Sequence, residues 1–230
     1  GSDNLIYIGA RLLFDLYKIT SGIRIRLKKS IPVAAGMAGG SADAAAALKG
    51  INEMFRLGCT EAELKNMGLK LGADVPYCVM GGTALAEGIG ERLTALDEAP
   101  QCVLLVAKPA INVSTKYVYQ RLDDLETYEH PDIDGMVKAI SEGSLEGIVS
   151  RLGNVLESVT VPEYPIINDI KRIMLESGAM GSLMSGSGPA VFGIYGDRAD
   201  AGTALRKLGE YGFAAQTFIT DFRQEVHNAG

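Results

Sequence analysis

The sequence predicts an α+β protein of two domains, and three observations carry that expectation. Its 230 residues suffice for one large domain or two small ones. The second half alternates apolar strands with amphipathic helices, in the manner of a small α+β sandwich. A new unit begins around Ala99-Pro100, so the expected domains are 1–99 and 100–230.

The bulk numbers bound the function. Hydrophobic residues make up 47% and charged residues 22%, ordinary values for a globular chain. A chain of this size buries roughly 70% of the surface its unfolded form exposes, so no covalent staple is needed. The net charge of −6 argues against a general nucleic-acid binder, although a local basic pocket could hold an anion. Cys59, Cys78 and Cys102 show no CxxC spacing, and His130 and His227 are the two histidines, so a structural zinc site has almost no ligands. Reduced thiols in a cytoplasmic protein are the expectation. No apolar run reaches the roughly 18 residues that span a bilayer. The alanine-rich stretch Val33 to Leu48 is broken by three glycines, Ser41 and Asp43. No basic-then-apolar signal opens the chain. It starts at Gly1-Ser2 without a methionine, which reads as a cloning scar or the start of a fragment.

Along the chain, Asp3 or Ser2 is expected to cap a helix over about 4–17, because Leu5, Ile8, Leu12, Leu13 and Leu16 recur on one face. Ile23 to Leu27 alternates apolar and charged residues and reads as a half-buried strand. A glycine-rich turn leads into a helix from Ser41 that ends near Gly58. Thr60 with Glu63 makes a capping box for a helix running to about Leu71. Asp74 to Tyr77 reads as a short non-helical link, and 78–87 and 102–107 as strands. Next come a helix over Ser114 to Leu122, an acidic loop over 123–135, and helices at about 135–142, 144–152 and 163–177. Ser182 to Gly188 is a second small-residue turn, followed by a strand from Ala190 to Tyr195, a helix at 198–211 and a strand at 213–219.

The turn Gly36-Met-Ala-Gly-Gly-Ser-Ala-Asp43 lies between a strand pattern and a helix. Small residues let backbone approach a ligand, and free N–H groups at a helix start favour an anion. A plain tight turn into a buried alanine helix is the competing reading. Asp43 could cap the helix or lie near a metal. No Lys-Ser or Lys-Thr follows the last glycine, so this is not a Walker loop, and the glycine spacing is wrong for a dinucleotide fingerprint.

The stretch Ile31-Pro-Val-Ala-Ala-Gly-Met-Ala-Gly-Gly-Ser-Ala-Asp-Ala-Ala45 resembles the phosphate loop of the GHMP kinases. Leu71-Gly-Ala-Asp-Val-Pro76 resembles the segment with that family's catalytic aspartate, and Met184-Ser-Gly-Ser-Gly-Pro189 its C-terminal glycine motif. All three occur in the family's order. Gly72 to Pro76 followed by Gly81-Gly-Thr-Ala-Leu-Ala-Glu-Gly-Ile-Gly-Glu91 is similar to one branch of the family. That branch phosphorylates the 2-hydroxyl of a diphosphocytidyl sugar alcohol on the non-mevalonate isoprenoid route. Asp3-Asn-Leu-Ile6 fits the same branch, and the likeness weakens between about 120 and 165.

The resemblance implies a fold and a set of roles. The fold is a ribosomal protein S5 domain 2-like N-terminal domain, truncated in this chain, with a ferredoxin-like C-terminal domain. Asp74 accepts or orients the proton of the attacking hydroxyl, where a turn aspartate beside a proline is the plainer reading. Asn4, Leu5, Lys29, Pro32, Val33, Ala34, Ala35, Gly36, Met37, Ala38, Gly39, Gly40, Ser41 and Ala42 form the ATP site, although Lys29 alone could be a solvated strand-end charge. Thr115 and Tyr119, four apart on one helix face, line the cytidine pocket; Tyr119 either stacks on the base or packs its helix. Gly186 and Ser187, with Gly188, close the site near phosphates or substrate. Mg²⁺ is implied by the chemistry of ATP, with no ligand set legible. The expected partners are ATP and a cytidyl-containing sugar-alcohol phosphate, with no nucleic acid or membrane, for a monomer or weak homodimer.

Family members open with an Ala-Lys-Ile-Asn-Leu strand and a Gly-Tyr-His segment that holds the cytosine; this sequence has neither. The expected missing piece is roughly 60 to 80 residues, the scale of several strands, and its loss would leave sheet edges unpaired. By itself such a chain would be inactive, or one part of an active enzyme. Three alternatives stand beside this reading. A homoserine- or mevalonate-type kinase shares the loops but not Gly-Ala-Asp-Val-Pro with Gly-Gly-Thr-Ala. A non-catalytic nucleotide binder would explain the absent lysine segment but not Asp74 with intact glycine loops. A plain α+β protein with structural turns would not need three ordered motifs.

Overall fold

In the computed structural model, which describes residues 3–222, Asn4 opens the first helix by accepting the Ile6 N–H at 2.9 Å. Asn4 thus takes the capping place expected of Asp3 or Ser2, and Ser2 lies outside the described residues. The chain divides into two compact units, one of the residues up to Val33 with Ala38–Leu96, the other of Ala34–Met37 with the residues from Asp97 onward.

The first unit is built on helices. α1 (Leu5–Leu16) turns Ala10 and Leu13 inward against α2 (Gly39–Met54), whose Ala44, Ala45, Leu48 and Ile51 are buried. The small residues permit a close approach: a Cβ on Gly9 would stand 3.1 Å from Leu71 Cδ1 and 3.4 Å from Leu48 Cδ2. α3 (Glu61–Leu69) starts at the Thr60–Glu63 capping box, with both reciprocal bonds formed.

α4 (Val75–Met80) corrects two expectations, since Asp74 to Tyr77 is not a non-helical link and 78–87 is not one strand. Pro76 sits in the first turn, where a missing N–H breaks no helical bond, so the proline starts the helix rather than stopping it. Gly81, at φ 75°, ends it. The strand part of that stretch survives as β1 (Ala84–Glu87), paired antiparallel with β2 (Arg92–Ala95), which the sequence did not announce. Ile23 to Leu27 forms no strand, and Ile25 and Leu27 are each 42% exposed. Alternation makes a strand only where a neighbour completes the ladder, and none does so among the described residues.

The second unit is a four-stranded antiparallel sheet with helices packed on it. Its strands are β3 (Val103–Lys108), β4 (Gly181–Met184), β5 (Val191–Tyr195) and β6 (Gln216–Asp221), in the spatial order β4-β5-β3-β6. Between β3 and β4 run α5 (Thr115–Asp123), α6 (Ile133–Ser141), α7 (Leu145–Val149), α8 (Glu157–Glu163) and α9 (Ile166–Leu175); α10 (Arg198–Tyr211) joins β5 to β6. This β-α-β-β-α-β course is the ferredoxin-like arrangement. Ile167, Ile170, Ile173 and Met174 recur at helical spacing on α9 and are buried with Leu105, Val191 and Tyr195 of the sheet and Ala201, Ala204 and Leu208 of α10.

Two expectations fail here. The small-residue turn at 182–188 begins as β4, because Leu183 and Met184 pair with Phe192 and Val191. The helix expected over 163–177 is α9, at Ile166–Leu175, whereas α8 lies where no helix was read. No helix among the described residues is long and apolar enough to cross a membrane.

Candidate functional site

In the first unit the site residues gather at the start of α2. Ala38 precedes the helix in a left-handed conformation, and no side chain caps it. Its first N–H groups therefore lack intrahelical partners, at the positive end of the helix dipole. Lys29 Nζ donates to the Gly39 carbonyl at 3.2 Å and is ion-paired with Asp43 on the next turn. Gly39 has no room for a side chain, because its Cβ would lie 2.9 Å from Ile31 Cγ2. Leu5 reaches the same place, 3.8 Å from a Cβ at Gly40. Gly40 is exposed, Ser41 and Ala42 are partly buried, and Asn4 spends its side-chain oxygen on capping α1.

Asp74 occupies the N-cap position of α4, yet its carboxylate makes no capping bond and the residue is exposed. Burial, with the charge of Asp74 beside it, pushes the Cys78 thiol up, against the opposite pull of Lys49. A Cβ on Gly90 would stand 3.1 Å from the Ala73 carbonyl, so the turn between β1 and β2 backs directly onto the segment that presents Asp74. The stretch Gly81 to Glu91 is thus a brace for that segment.

In the second unit two glycine turns interlock. Ser185 Oγ donates to the Gly36 carbonyl at 2.8 Å, and the Ala190 N–H to the Ala35 carbonyl at 3.3 Å. Gly36 has φ +70°, and a Cβ there would fall 2.0 Å from the Ser185 carbonyl oxygen. Ala35, buried with Val106 and Ala190 and flanked by Met37 and Phe192, anchors this crossing. Pro32 is buried, whereas Val33 is 70% exposed and Ala34 is exposed.

Thr115, the first residue of α5, shares a 2.8 Å hydrogen bond with the hydroxyl of buried Ser187. The structure therefore brings these two predicted residues together. Tyr119, one turn further along α5, is 53% exposed and takes no part in that bond. Gly186 is exposed with φ +54°.

Sequence reasoning missed the residues that hold the loop at 184–189. Asn154 Nδ2 donates to the carbonyls of Met184 and Gly186, at 2.9 and 2.8 Å. Glu157 Oε1 accepts the Met184 N–H at 2.8 Å while its other oxygen pairs with Lys171 at 2.6 Å. Thr160 Oγ1 donates to the Ser187 carbonyl at 3.3 Å. These residues lie on or just before α8, and a segment read as irregular gave no reason to group them.

The family model for the GHMP kinases N terminal domain matches residues 4–82, and that for the GHMP kinases C terminal matches residues 133–214. The chain belongs to the GHMP kinases. This GHMP kinase is 52% identical over 219 residues to the 4-diphosphocytidyl-2-C-methyl-D-erythritol kinase of Lachnospira eligens, an alignment covering 95% of this chain and 76% of the relative. The crystal structure of a 4-(cytidine 5'-diphospho)-2C-methyl-D-erythritol kinase superposes with a TM-score of 0.81 at 30% identity, covering 96% of this chain and 78% of that one. A homoserine kinase from Cytophaga hutchinsonii superposes at 0.78 over 96% and 76% of the two chains; its 21% identity shows a shared fold alone.

Proposed function

We propose that this GHMP kinase transfers the γ-phosphoryl group of ATP to the 2-hydroxyl of 4-diphosphocytidyl-2-C-methyl-D-erythritol, on the non-mevalonate route to isoprenoids. The observation that carries the substrate is the likeness to the Lachnospira eligens enzyme along nearly the whole chain. The geometry supports the reaction class, because phosphoryl transfer needs positioned N–H donors and an oriented nucleophile more than covalent chemistry.

In this reading residues 1–99 form the ATP domain and 100–230 the C-terminal domain. The uncapped start of α2, with Pro32 to Ala42 leading into it, cradles the ATP phosphates. Asn4, Leu5 and Lys29 border the adenine. Asp74 takes or orients the proton of the attacking hydroxyl, a role open to a carboxylate that is exposed and not spent on capping. Thr115 and exposed Tyr119 hold the cytidine, and Gly186 and Ser187 close over the substrate. Mg²⁺ bound with the nucleotide would neutralise charge on its phosphates, and exposed Asp74 and the Ser41 hydroxyl would be the oxygen donors to hold it. The protein works in the cytoplasm as a monomer or weak homodimer, without nucleic-acid or membrane partners.

The test is transfer from radiolabelled ATP with the cytidyl substrate, homoserine and mevalonate offered separately. Label in the cytidyl product alone supports the assignment. Label in homoserine or mevalonate overturns the substrate, and ATP binding with no labelled acceptor overturns the kinase reading.

A further inference from the structure

Asn154 lies outside every motif, yet its side-chain amide is fully engaged. Nδ2 donates to the Met184 and Gly186 carbonyls, and Oδ1 accepts the Leu156 N–H at 3.0 Å. Two further carbonyls of the loop are also engaged. Ser185 O accepts from the Gly188 N–H at 2.9 Å, and Ser187 O from Thr160 Oγ1. The Met184 N–H is taken by Glu157 and the Ser185 N–H by the Ala190 carbonyl at 2.8 Å. Two consecutive N–H groups are left, those of Gly186 and Ser187, for which no acceptor exists among the described residues. Gly186 at φ +54° is exposed, so a ligand can approach the pair from its side, with Ser187 buried behind it.

Successive backbone N–H groups around a left-handed residue form a concavity that binds anions. Such a pair works only while the neighbouring carbonyls stay averted, and Asn154 averts two of them with one side chain. The acidic group bonded to the loop at the Met184 N–H would repel an anion, but this Glu157 carboxylate is neutralised by Lys171 at 2.6 Å.

We propose that Asn154 is a positioning residue, which turns the loop carbonyls inward and thereby presents the Gly186 and Ser187 N–H groups as a binding pair for a phosphoryl or diphosphate group. This deepens the kinase reading above and rests on it for the source of the anion, which is either the nucleotide or the diphosphate of the cytidyl acceptor.

Asn154→Asp decides the matter. It keeps the acceptor for the Leu156 N–H and replaces the double donor with an oxygen facing two carbonyls. The whole chain and the variant are compared by calorimetric titration with inorganic pyrophosphate, and by turnover with each substrate varied. Pyrophosphate affinity should fall about tenfold or more, and one KM should rise by a similar factor while kcat stays within about twofold. A rise in KM for ATP identifies the nucleotide as the source, and a rise for the cytidyl acceptor identifies its diphosphate. Unchanged pyrophosphate affinity and unchanged KM values in a folded variant overturn the proposal. Should Asn154→Asp fail to fold, Thr160→Val releases the Ser187 carbonyl alone, and the same affinity loss is required of it. Wild-type protein that binds pyrophosphate through Asn154 but phosphorylates no cytidyl acceptor would sink the substrate assignment and leave the anion pair standing.

Discussion

The hydroxyl of Ser185 donates to the carbonyl of Gly36 at 2.8 Å, across a sequence separation of 149 residues. One bond thus ties the first glycine motif to the last. Backbone meets backbone at this crossing, which is why both turns need glycine: Gly36 would place a Cβ 2.0 Å from Ser185 O, and Gly186 one 3.0 Å from Gly36 O. The three family motifs are consecutive in the chain, but the Ala34–Met37 part of the first packs with the third inside one unit.

Gly36→Ala should be the more damaging change at this crossing. It combines a left-handed backbone with a collision against the Ser185 carbonyl, which accepts the Gly188 N–H while the Ser185 N–H donates to the Ala190 carbonyl. A loss of about 1–3 kcal/mol in denaturant unfolding is expected, with ATP affinity falling alongside. Ser185→Ala removes one hydrogen bond and should lose about 1 kcal/mol. Equal losses for the two variants would show that the crossing is not sterically tight.

Asp74→Asn should separate chemistry from stability. The carboxylate is exposed and caps nothing, so melting temperature should not move. A proton acceptor lost from the reacting hydroxyl lowers kcat by about 10²–10⁴-fold, with KM for ATP little changed. A drop of several degrees in melting temperature would instead assign Asp74 a structural role.

Much of this was legible in the sequence, and the failures share a physical cause. The helices with a strong 3.6-residue stripe, such as α1, α9 and α10, were visible because burial of one face imposes the pattern. Pro76 misled because a proline breaks a helix interior and begins a helix end, and local sequence does not say which place it holds. Ile23 to Leu27 misled in the opposite sense, since a strand needs a partner that local alternation cannot supply. Within the site, Ser187 was legible by motif and Thr115 through the family resemblance, and the 2.8 Å bond between them was not. Asn154, Glu157 and Thr160 carry no motif at all, and only the folded path of α8 gathers them beneath one loop.

Lys29 and Asp43 yield a third prediction. Both side chains are partly exposed, at 32% and 23%, so the pair adds at most about 1 kcal/mol to stability. Its value lies in aiming the ammonium, which Asp43 and the Gly39 carbonyl hold in place beside the start of α2. Asp43→Asn should raise KM for ATP several-fold with the Mg²⁺ dependence unchanged, and Lys29→Met should raise it further. A shifted Mg²⁺ requirement in Asp43→Asn would mark Asp43 as a metal ligand rather than a guide for Lys29.

Acid should weaken α3 through its capping box. The Thr60 N–H, and secondarily its hydroxyl, hold the Glu63 carboxyl below its ordinary value of 4.5. A depressed folded-state pKa contributes stability that is fully present above the unfolded value and is lost as pH falls through the folded one. The advantage of wild type over Glu63→Gln, measured by chemical unfolding, should therefore hold at pH 6–7 and shrink below about pH 4.5. An advantage unchanged at pH 3 would place the stabilisation elsewhere.

Glu157 and Lys171 give the sharpest separation of packing from positioning. Both side chains are 19% exposed, and the carboxylate is pinned between the Lys171 ammonium and the Met184 N–H. Lys171→Met leaves a half-buried charge with one neutral donor, which should lower stability by about 1–3 kcal/mol. It should also raise KM for an anionic substrate, because the unpaired carboxylate then stands beside the glycine loop. Adding Glu157→Gln to Lys171→Met removes that charge while keeping an acceptor for the Met184 N–H, so the double variant should recover both stability and KM. A double-mutant cycle on unfolding free energy and on KM checks this directly. Recovery of stability without recovery of KM would mean that the pair supports α8 and α9 but has no electrostatic part in presenting the loop.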